Sequence, residues 1–209
     1  HKGLFRDSPL FLSCRKKGKT MLHDGQIREI LFDYLDERYG KIRIFEEKNI
    51  KSSRADIIAV IDGSIIGMEI KSDFDSYTRL AAQVKNYDKY CDFNYAVVGR
   101  THKNGVAEHI PAYWGILAVD ETEVDPVIYE VRAAEKNPKM KTENKAAFLW
   151  KREMHAILAA NGFPRYVGKS RRFIIGKMTE KIPADKLAHD ITDALFERDY
   201  SILSEIFEK

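Results

Sequence analysis

The chain has 209 residues, of which 44% are hydrophobic and 32% are charged, and its net charge is +3 at pH 7. This composition is typical of a soluble globular protein with a sizeable core, and no apolar run approaches the roughly 20 residues of a membrane-spanning helix. Cys14 and Cys91 lie far apart in the sequence, so we expect a cytoplasmic protein with no disulfide framework. Because the net charge is small, charge alone does not require a nucleic-acid partner.

Residues 1–20 lack clear periodicity, and we expect either a flexible arm or residues foreign to the natural chain. A first helix is predicted over residues 23–38, with Asp24 as candidate N-cap and Gly40 as candidate stop. Its apolar side chains recur at helical spacing, at Ile27, Ile30, Leu31, Tyr34 and Leu35. Residues 41–49 alternate apolar and charged side chains, which predicts an edge strand.

Two apolar runs, residues 55–61 and 64–70, are joined by Asp62-Gly63 and predict a β-hairpin. We expect a two-residue type I′ turn, with positive φ at both central positions. Continued from this turn, the register places Asp56 opposite Glu69, and alternation puts Lys71 on the same face. Elsewhere both faces of the hairpin are apolar, so the two strands are predicted to be central and covered on both sides.

Opposed carboxylates destabilise a hairpin unless a positive charge neutralises them. A divalent cation such as Mg²⁺ or Mn²⁺ would neutralise Asp56 and Glu69, since both ions prefer oxygen ligands. Lys71 and Arg54 could instead form a plain ion-pair cluster at the end of the strand. The hairpin by itself leaves both interpretations open.

A second helix is predicted over residues 77–91, capped by Ser76 or Asp75, with Gln83 and Tyr87 one turn apart on its apolar side. Apolar runs predict three further strands, over residues 92–99, 115–119 and 126–133. A strand, a helix and a strand in succession imply a right-handed, partly parallel connection. The elements together predict an α/β fold in which helices flank a central mixed sheet.

The composition changes near residue 134, and only helical patterns follow. A linker or clamp loop is predicted over residues 135–145, and helices over residues 146–160, 170–181 and 183–207. We therefore divide the chain into an N-terminal arm (1–20), a core (21–134) and a helical C-terminal subdomain (135–209).

The order of the elements resembles the core of the PD-(D/E)XK nuclease superfamily, as do Asp56 and then Glu69-Ile70-Lys71 on the next strand. In the following helix, Gln83 and Tyr87 resemble the Gln-x-x-x-Tyr motif of the RecB-type and λ-exonuclease-type branches. Four stretches resemble a mostly uncharacterised phage and bacterial family of this superfamily, the sce-type family: residues 54–56, 68–92, 110–117 and 148–153. The resemblance covers most of residues 24–200.

This resemblance implies a restriction-endonuclease-like core with a C-terminal helical extension. It also implies a metal-dependent deoxyribonuclease that hydrolyses phosphodiester bonds in repair, recombination or phage DNA processing. In such an enzyme Asp56 and Glu69 would bind Mg²⁺ or Mn²⁺, helped by the backbone carbonyl of Ile70. Lys71 would orient or deprotonate the attacking water, and Gln83 and Tyr87 would position the water, the lysine or a phosphate.

The first helix departs from the superfamily pattern. Many members place a metal-linked Glu there, whereas this chain has Arg28 at that position with Glu29 beside it. Glu29 or Asp24 could complete the metal shell. Ala55 takes the place of the proline that often precedes the first Asp.

A basic cluster lies in the C-terminal half of the sequence. Lys169, Arg171 and Arg172, together with Arg54 at the hairpin, are candidate contacts for DNA phosphates, which raise affinity without reading sequence. A solvated helix face explains the cluster about as well.

A catalytically inactive nuclease-fold module that binds nucleic acid or another protein is the competing hypothesis. The modest charge and the departure in the first helix both favour it. A small-molecule enzyme has little support, because the sequence contains no Gly-x-Gly-x-x-Gly or P-loop pattern.

Overall fold

The computed structural model describes residues 21–50, 53–123 and 125–198, so the predicted N-terminal arm lies outside the described residues. Its strands are β1 Arg43–Ile50, β2 Ser53–Ile61, β3 Ser64–Lys71, β4 Phe93–Val98, β5 Gly115–Asp120 and β6 Val127–Arg132. Its helices are α1 Asp24–Tyr39, α2 Leu80–Tyr90, α3 Thr142–Ala146, α4 Lys151–Ala160, α5 Arg171–Lys181 and α6 Ala184–Phe196.

The six strands form one mixed sheet in the order β1-β2-β3-β4-β5-β6. Neighbours pair antiparallel except β3 with β4 and β4 with β5, which are parallel. The parallel β3–β4 pair is connected through α2, and β1 lies at one edge of the sheet. The predicted α/β fold, with a mixed sheet flanked by helices and with C-terminal helices, is therefore confirmed.

Two apolar clusters cover opposite faces of the sheet. The first helix, α1, buries Ile27, Leu31 and Leu35 on the face that carries Ile57. On the opposite face, which carries Ile58, α2 packs together with the helices α3 to α6. Consecutive isoleucines of β2 thus point into different clusters, which confirms that the hairpin strands are central. None of the helices within the described ranges is long and apolar enough to cross a membrane.

The hairpin keeps the predicted register only up to Ile57 and Met68, one position short of the predicted pair Asp56 and Glu69, and its turn is not the predicted one. Ile61 pairs with Ser64, and the pairing runs on to Ile57 and Met68. Of the two turn residues, only Gly63 has a positive φ, at +66°, so the type I′ prediction for Asp62-Gly63 is wrong. Two contacts from the C-terminal helices occupy this turn. The Gly63 N–H donates to the Thr192 hydroxyl at 3.0 Å, and the Lys145 ammonium donates to the Gly63 carbonyl at 3.1 Å.

The starts of two helices differ from the predictions. His23, not Asp24, is the N-cap of α1, while Gly40 ends the helix as predicted, with φ +61°. The second helix begins only at Leu80, so neither Ser76 nor Asp75 caps it. Asp75 instead accepts hydrogen bonds from the backbone N–H and the hydroxyl of Ser72, at 2.8 and 2.7 Å.

The helix predicted over residues 146–160 begins only at Lys151, as α4, and the predicted linker over residues 135–145 contains most of a further helix, α3. Trp150 between them is extended, with ψ 158°, and its N–H donates to the Glu153 carboxylate at 2.6 Å, which starts a new helix. The last helix ends at Phe196, and residues 199–207 of its predicted range lie outside the described residues.

A buried ion pair joins the C-terminal helices to the sheet. The Lys145 ammonium lies 2.7 Å from the Asp92 carboxylate, and the two side chains are only 2% and 6% exposed. The same carboxylate accepts the N–H of Ile65 at 2.8 Å. Since Lys145 also bonds to Gly63, one cation connects α3 to both the hairpin turn and the start of β4.

We expect Lys145→Met to lower the free energy of unfolding by about 3–5 kcal/mol, because it leaves the Asp92 carboxylate buried without its cation. Urea unfolding measures the change. Lys186→Met is the matched control, since its pair with Asp190 is exposed and its loss costs less than about 1 kcal/mol. Adding Asp92→Asn to Lys145→Met recovers part of the loss. Equal effects of the two lysine variants would contradict this role.

Candidate active site

A cavity of about 430 Å³ opens between the first turns of α1 and α2, at the end of the hairpin away from its turn. Six of the predicted site residues line it: Arg54, Asp56, Glu69, Ile70, Lys71 and Gln83. The remaining lining residues are His23, Asp24, Gly25, Arg28, Glu47, Ser72, Asp75 and Arg79. The structure therefore brings most of the predicted site to one place.

Tyr87 lies beneath this cavity, not in its wall. Its side chain is fully buried, and its hydroxyl accepts the Asp56 N–H at 3.0 Å while donating to the Met68 carbonyl at 2.8 Å. The β2–β3 register runs only as far as Ile57 and Met68. The hydroxyl thus bridges the two strands at the point where their ladder ends. Tyr87 therefore positions the site by holding the backbone of β2 and β3.

Asp56 forms a second bridge across this opening. Its Oδ2 accepts the N–H of Ile70 on β3 at 2.8 Å, and its side chain is 20% exposed. Burial raises the pKa of the Asp56 carboxyl despite this hydrogen bond and the nearby positive charge of Lys71. The other oxygen, Oδ1, faces Arg28 at 3.9 Å.

Glu69 is the most deeply buried acid of the cavity, with a side chain only 1% exposed. Its Oε1 accepts a hydrogen bond from the Lys71 ammonium at 2.5 Å, whereas its Oε2 has no hydrogen-bond partner among the described residues. Burial and the neighbouring Asp56 carboxylate raise the pKa of Glu69 to about 7. A buried carboxylate with an unpartnered oxygen beside a second carboxylate is an arrangement that a bound cation would stabilise.

Lys71 is held between β3 and α2. Besides its bond to Glu69, its ammonium donates to Gln83 Oε1 at 3.5 Å, and both side chains are largely buried. Gln83 therefore contacts the lysine directly, as one of the predicted roles requires.

The first helix contributes a positively charged side chain, that of Arg28, to the cavity. The Arg28 guanidinium bonds to Asp24 at 2.5 Å, to Glu47 at 2.8 Å and to the Asp56 carbonyl at 3.2 Å. Glu29 is exposed and does not line the cavity, and Asp24 is already paired with Arg28. Neither acid of α1 is therefore arranged as a further metal ligand.

Glu47 is a site residue that sequence reasoning missed. It has a positive φ of +52° within β1, and its carboxylate bonds to both Arg28 and Arg54. Nothing in the alternation of β1 indicated it, because this backbone conformation departs from the regular strand that the pattern predicts.

The residues present suit a hard cation held by few protein ligands. No group of three or more His, Cys, Asp or Glu residues suited to a metal occurs in the part of the chain that the structure describes. An ion would rest on the Asp56 and Glu69 carboxylates and the Ile70 carbonyl. Mg²⁺ commonly keeps several water ligands and binds through one or two carboxylates, so this donor set fits it.

The predicted nucleic-acid contacts occupy two separate places. Arg54 lines the cavity, is 67% exposed and pairs with Glu47. Lys169, Arg171 and Arg172 lie at the start of α5 and do not line the cavity. Arg171 donates to the carbonyls of Ala147 and Leu149, at 2.9 and 2.8 Å, so its guanidinium also satisfies backbone acceptors between α3 and α4.

Asp73 ties three segments together next to the cavity. Its carboxylate accepts the N–H of Leu22 at 3.0 Å, and the N–H and hydroxyl of Thr101 at 2.8 and 2.9 Å. Burial alone would raise the pKa of Asp73, but these hydrogen bonds outweigh it and hold the pKa below its usual value. The residues before α1 and after β4 are thereby fixed to the end of β3.

The family model described as bacteriophage P4 protein cII matches residues 17–209. No curated protein matches the chain. Among solved structures, that of Pyrococcus furiosus SfsA in complex with Ca²⁺ is similar over 57% of this chain and 68% of SfsA, with 16% sequence identity and a TM-score of 0.38.

We expect Tyr87→Phe to lower the free energy of unfolding by about 1–3 kcal/mol, because it leaves the Asp56 N–H and the Met68 carbonyl without their shared partner. Urea unfolding tests this. Tyr34→Phe, which removes a hydroxyl from the exposed pair with Arg38, is the control and loses less. A Tyr87→Phe protein as stable as the control would mean that the hydroxyl does not hold the strands.

The low pKa of Asp73 predicts a pH-dependent contribution to stability. Its charged form is favoured by folding, so the contribution is complete above the unfolded pKa of about 3.9 and is lost as pH falls through the lower folded pKa. Asp73→Asn should therefore destabilise the protein more at pH 7 than near pH 3. Urea unfolding at both values measures the difference, and a constant difference would contradict the assignment.

Proposed function

This chain belongs to the bacteriophage P4 protein cII family, and we propose that it is a Mg²⁺- or Mn²⁺-dependent nuclease that hydrolyses phosphodiester bonds in DNA. The observation that carries the proposal is the buried Glu69 carboxylate, with one oxygen unpartnered among the described residues and Lys71 bonded to the other, in an open cavity shared with Asp56.

Asp56, Glu69 and the Ile70 carbonyl are the metal ligands in this proposal. Burial raises the pKa of both carboxyl groups, and the charge of Asp56 raises that of Glu69 further. A divalent ion supplies charge neutralisation at the phosphate and an activated water. The protein holds β2 and β3 so that both carboxylates face the cavity between α1 and α2.

Lys71 is the group that orients or deprotonates the attacking water. Its ammonium reaches Glu69 Oε1 at 2.5 Å and Gln83 Oε1 at 3.5 Å, so the lysine is already held at the carboxylate that would bind metal. Gln83 keeps the lysine in place from α2. Tyr87 acts as a positioning residue, since its hydroxyl contacts the backbone of both strands.

DNA is the proposed partner, and the cavity has features that suit phosphate. The first turns of α1 and α2 face it, and helix N-termini favour anions. Arg54 and Arg79 add positive charge to the lining. Lys169, Arg171 and Arg172 are proposed as more distant phosphate contacts. We place this activity in the cytoplasm, in repair, recombination or phage DNA processing, with residues 21–134 as catalytic core and 135–209 as helical subdomain.

A catalytically inactive nucleic-acid-binding or protein-interaction module is the second candidate. The ion pairs favour it, because Lys71 and Arg28 already neutralise Glu69 and Asp56 without metal. In this alternative the cluster is structural and binds no divalent ion.

We expect Lys71→Ala to lower the rate of Mn²⁺-dependent DNA cleavage by roughly 10²–10⁴-fold, because it removes a proton-transfer group. Glu69→Gln should remove both cleavage and calorimetric Mn²⁺ binding. A panel of single-stranded, linear, circular and branched DNA measures the rates, and circular dichroism verifies the fold of each variant.

Glu29→Gln is the matched control, since it makes the same chemical change on an exposed position of α1. It should cleave as the unmodified protein does. Full activity of both Lys71→Ala and Glu69→Gln would refute the catalytic assignment. A protein that binds no Mn²⁺ and cleaves none of the DNA forms would instead be the inactive module.

A further inference from the structure

An exposed aromatic ring lies beside the proposed active site. Phe74 is 58% exposed, although a large apolar side chain gains from burial. Its ring stacks on that of His23, with centroids 4.5 Å apart and planes 14° from parallel. His23 lines the cavity that contains Glu69 and Lys71. The His23 ring therefore covers one face of the Phe74 ring, and the rest of the Phe74 side chain is exposed to solvent next to the cavity that contains Glu69 and Lys71.

The backbone that carries this ring is fixed on both sides. Asp73 binds the N–H groups of Leu22 and Thr101. Asp75 binds the N–H and hydroxyl of Ser72. The exposed ring is thus held by a hydrogen-bonded turn, so it provides a flat apolar surface with little conformational entropy to lose when a ligand binds.

Asp73 also lines a second cavity. It has a volume of about 350 Å³, and Leu22, Asp73, Arg100, Lys103, Asn104 and Asp120 are among its lining residues. The ammonium of Lys103 is paired with Asp120 at 3.1 Å, and Arg100, which is exposed, lies within electrostatic reach of the same carboxylate. Because Thr101 bonds directly to Asp73, Arg100 lies close to the turn that carries Phe74.

We propose that Phe74 is a stacking platform for an unpaired base and that Arg100 contacts a phosphate of the same strand, so that the substrate class is single-stranded or frayed DNA. This inference rests on the proposed function, since it assigns the substrate of that cavity. The strand runs from the Glu69–Lys71 cavity past Phe74 to the second cavity.

The aromatic ring of Phe74 favours single-stranded or frayed DNA as the substrate. In a duplex both faces of an internal base are covered by its neighbours, whereas an unpaired base can place a face on an aromatic side chain. Such stacking tolerates any base, because every base has a π-face. The guanidinium of Arg100 adds an attraction for phosphate that is independent of sequence.

The test uses the full chain with a short thymidine oligonucleotide that carries one 2-aminopurine, in chelator so that no cleavage occurs. Stacking quenches 2-aminopurine fluorescence and therefore reports the contact itself. We expect quenching with the unmodified protein and with Phe74→Trp, and loss of quenching with Phe74→Ala. Affinity for the single strand should fall roughly 10- to 100-fold in Phe74→Ala.

One further variant tests the phosphate contact of Arg100, and another is a control for the loss of an exposed apolar side chain. Arg100→Gln should keep the quenching but weaken binding and reduce its dependence on salt. Val127→Ala removes an exposed apolar side chain from the edge strand β6 and should bind as the unmodified protein does. In cleavage assays with Mn²⁺, Phe74→Ala should lose activity on single strands by a raised KM with little change in kcat.

Equal quenching and affinity in Phe74→Ala and the unmodified protein would overturn the inference, as would the lack of any binding to the oligonucleotide. If the protein cleaves DNA and Phe74→Ala changes nothing, the nuclease proposal stands and the platform does not. If the protein cleaves no DNA yet loses quenching in Phe74→Ala, the platform stands and the nuclease proposal fails.

Discussion

The separation of β2 and β3 beyond Ile57 and Met68 is the constraint on which the candidate site depends. Backbone polar groups inside a protein require partners, so an opening in a buried ladder must be bridged by something other than the ladder. The Tyr87 hydroxyl and the Asp56 carboxylate provide that bridge. Their hydrogen bonds keep the two carboxylates so close that the charge of Asp56, in addition to burial, raises the pKa of Glu69, while the cavity between α1 and α2 stays open. The same contacts that stabilise the fold therefore create the site.

Charge balance gives this site two possible states. Without metal, Lys71 compensates Glu69, and Arg28 lies near Asp56, so the cluster is largely neutral. An ion at the two carboxylates would displace part of these pairings and free Lys71 to contact water. The first helix contributes Arg28 and no available carboxylate, which restricts the protein ligands to the hairpin. This is why water would make up much of the shell of any bound ion.

The C-terminal helices support the hairpin from its opposite end. Lys145 and Thr192 both bond to Gly63, and Lys145 is paired with the buried Asp92. These helices share one apolar cluster with the sheet, so the turn, the strands and the helical part form one packed unit. The predicted boundary near residue 134 therefore divides the chain by composition, while the packing across it is continuous.

The sequence alone determined what depends on neighbours along the chain. The two-residue turn at Asp62-Gly63 predicted the hairpin register up to Ile57 and Met68, the apolar runs predicted the burial of both its faces, and helical spacing placed Gln83 and Tyr87 on one side of α2. Only the tertiary structure decided the turn conformation at Gly63, the left-handed backbone of Glu47 and the central place of Arg28. Each of these depends on contacts that local periodicity does not encode, such as those from Lys145 and Thr192 to the hairpin turn. A side chain's role at the site follows from which distant partner it meets, and that is a property of packing.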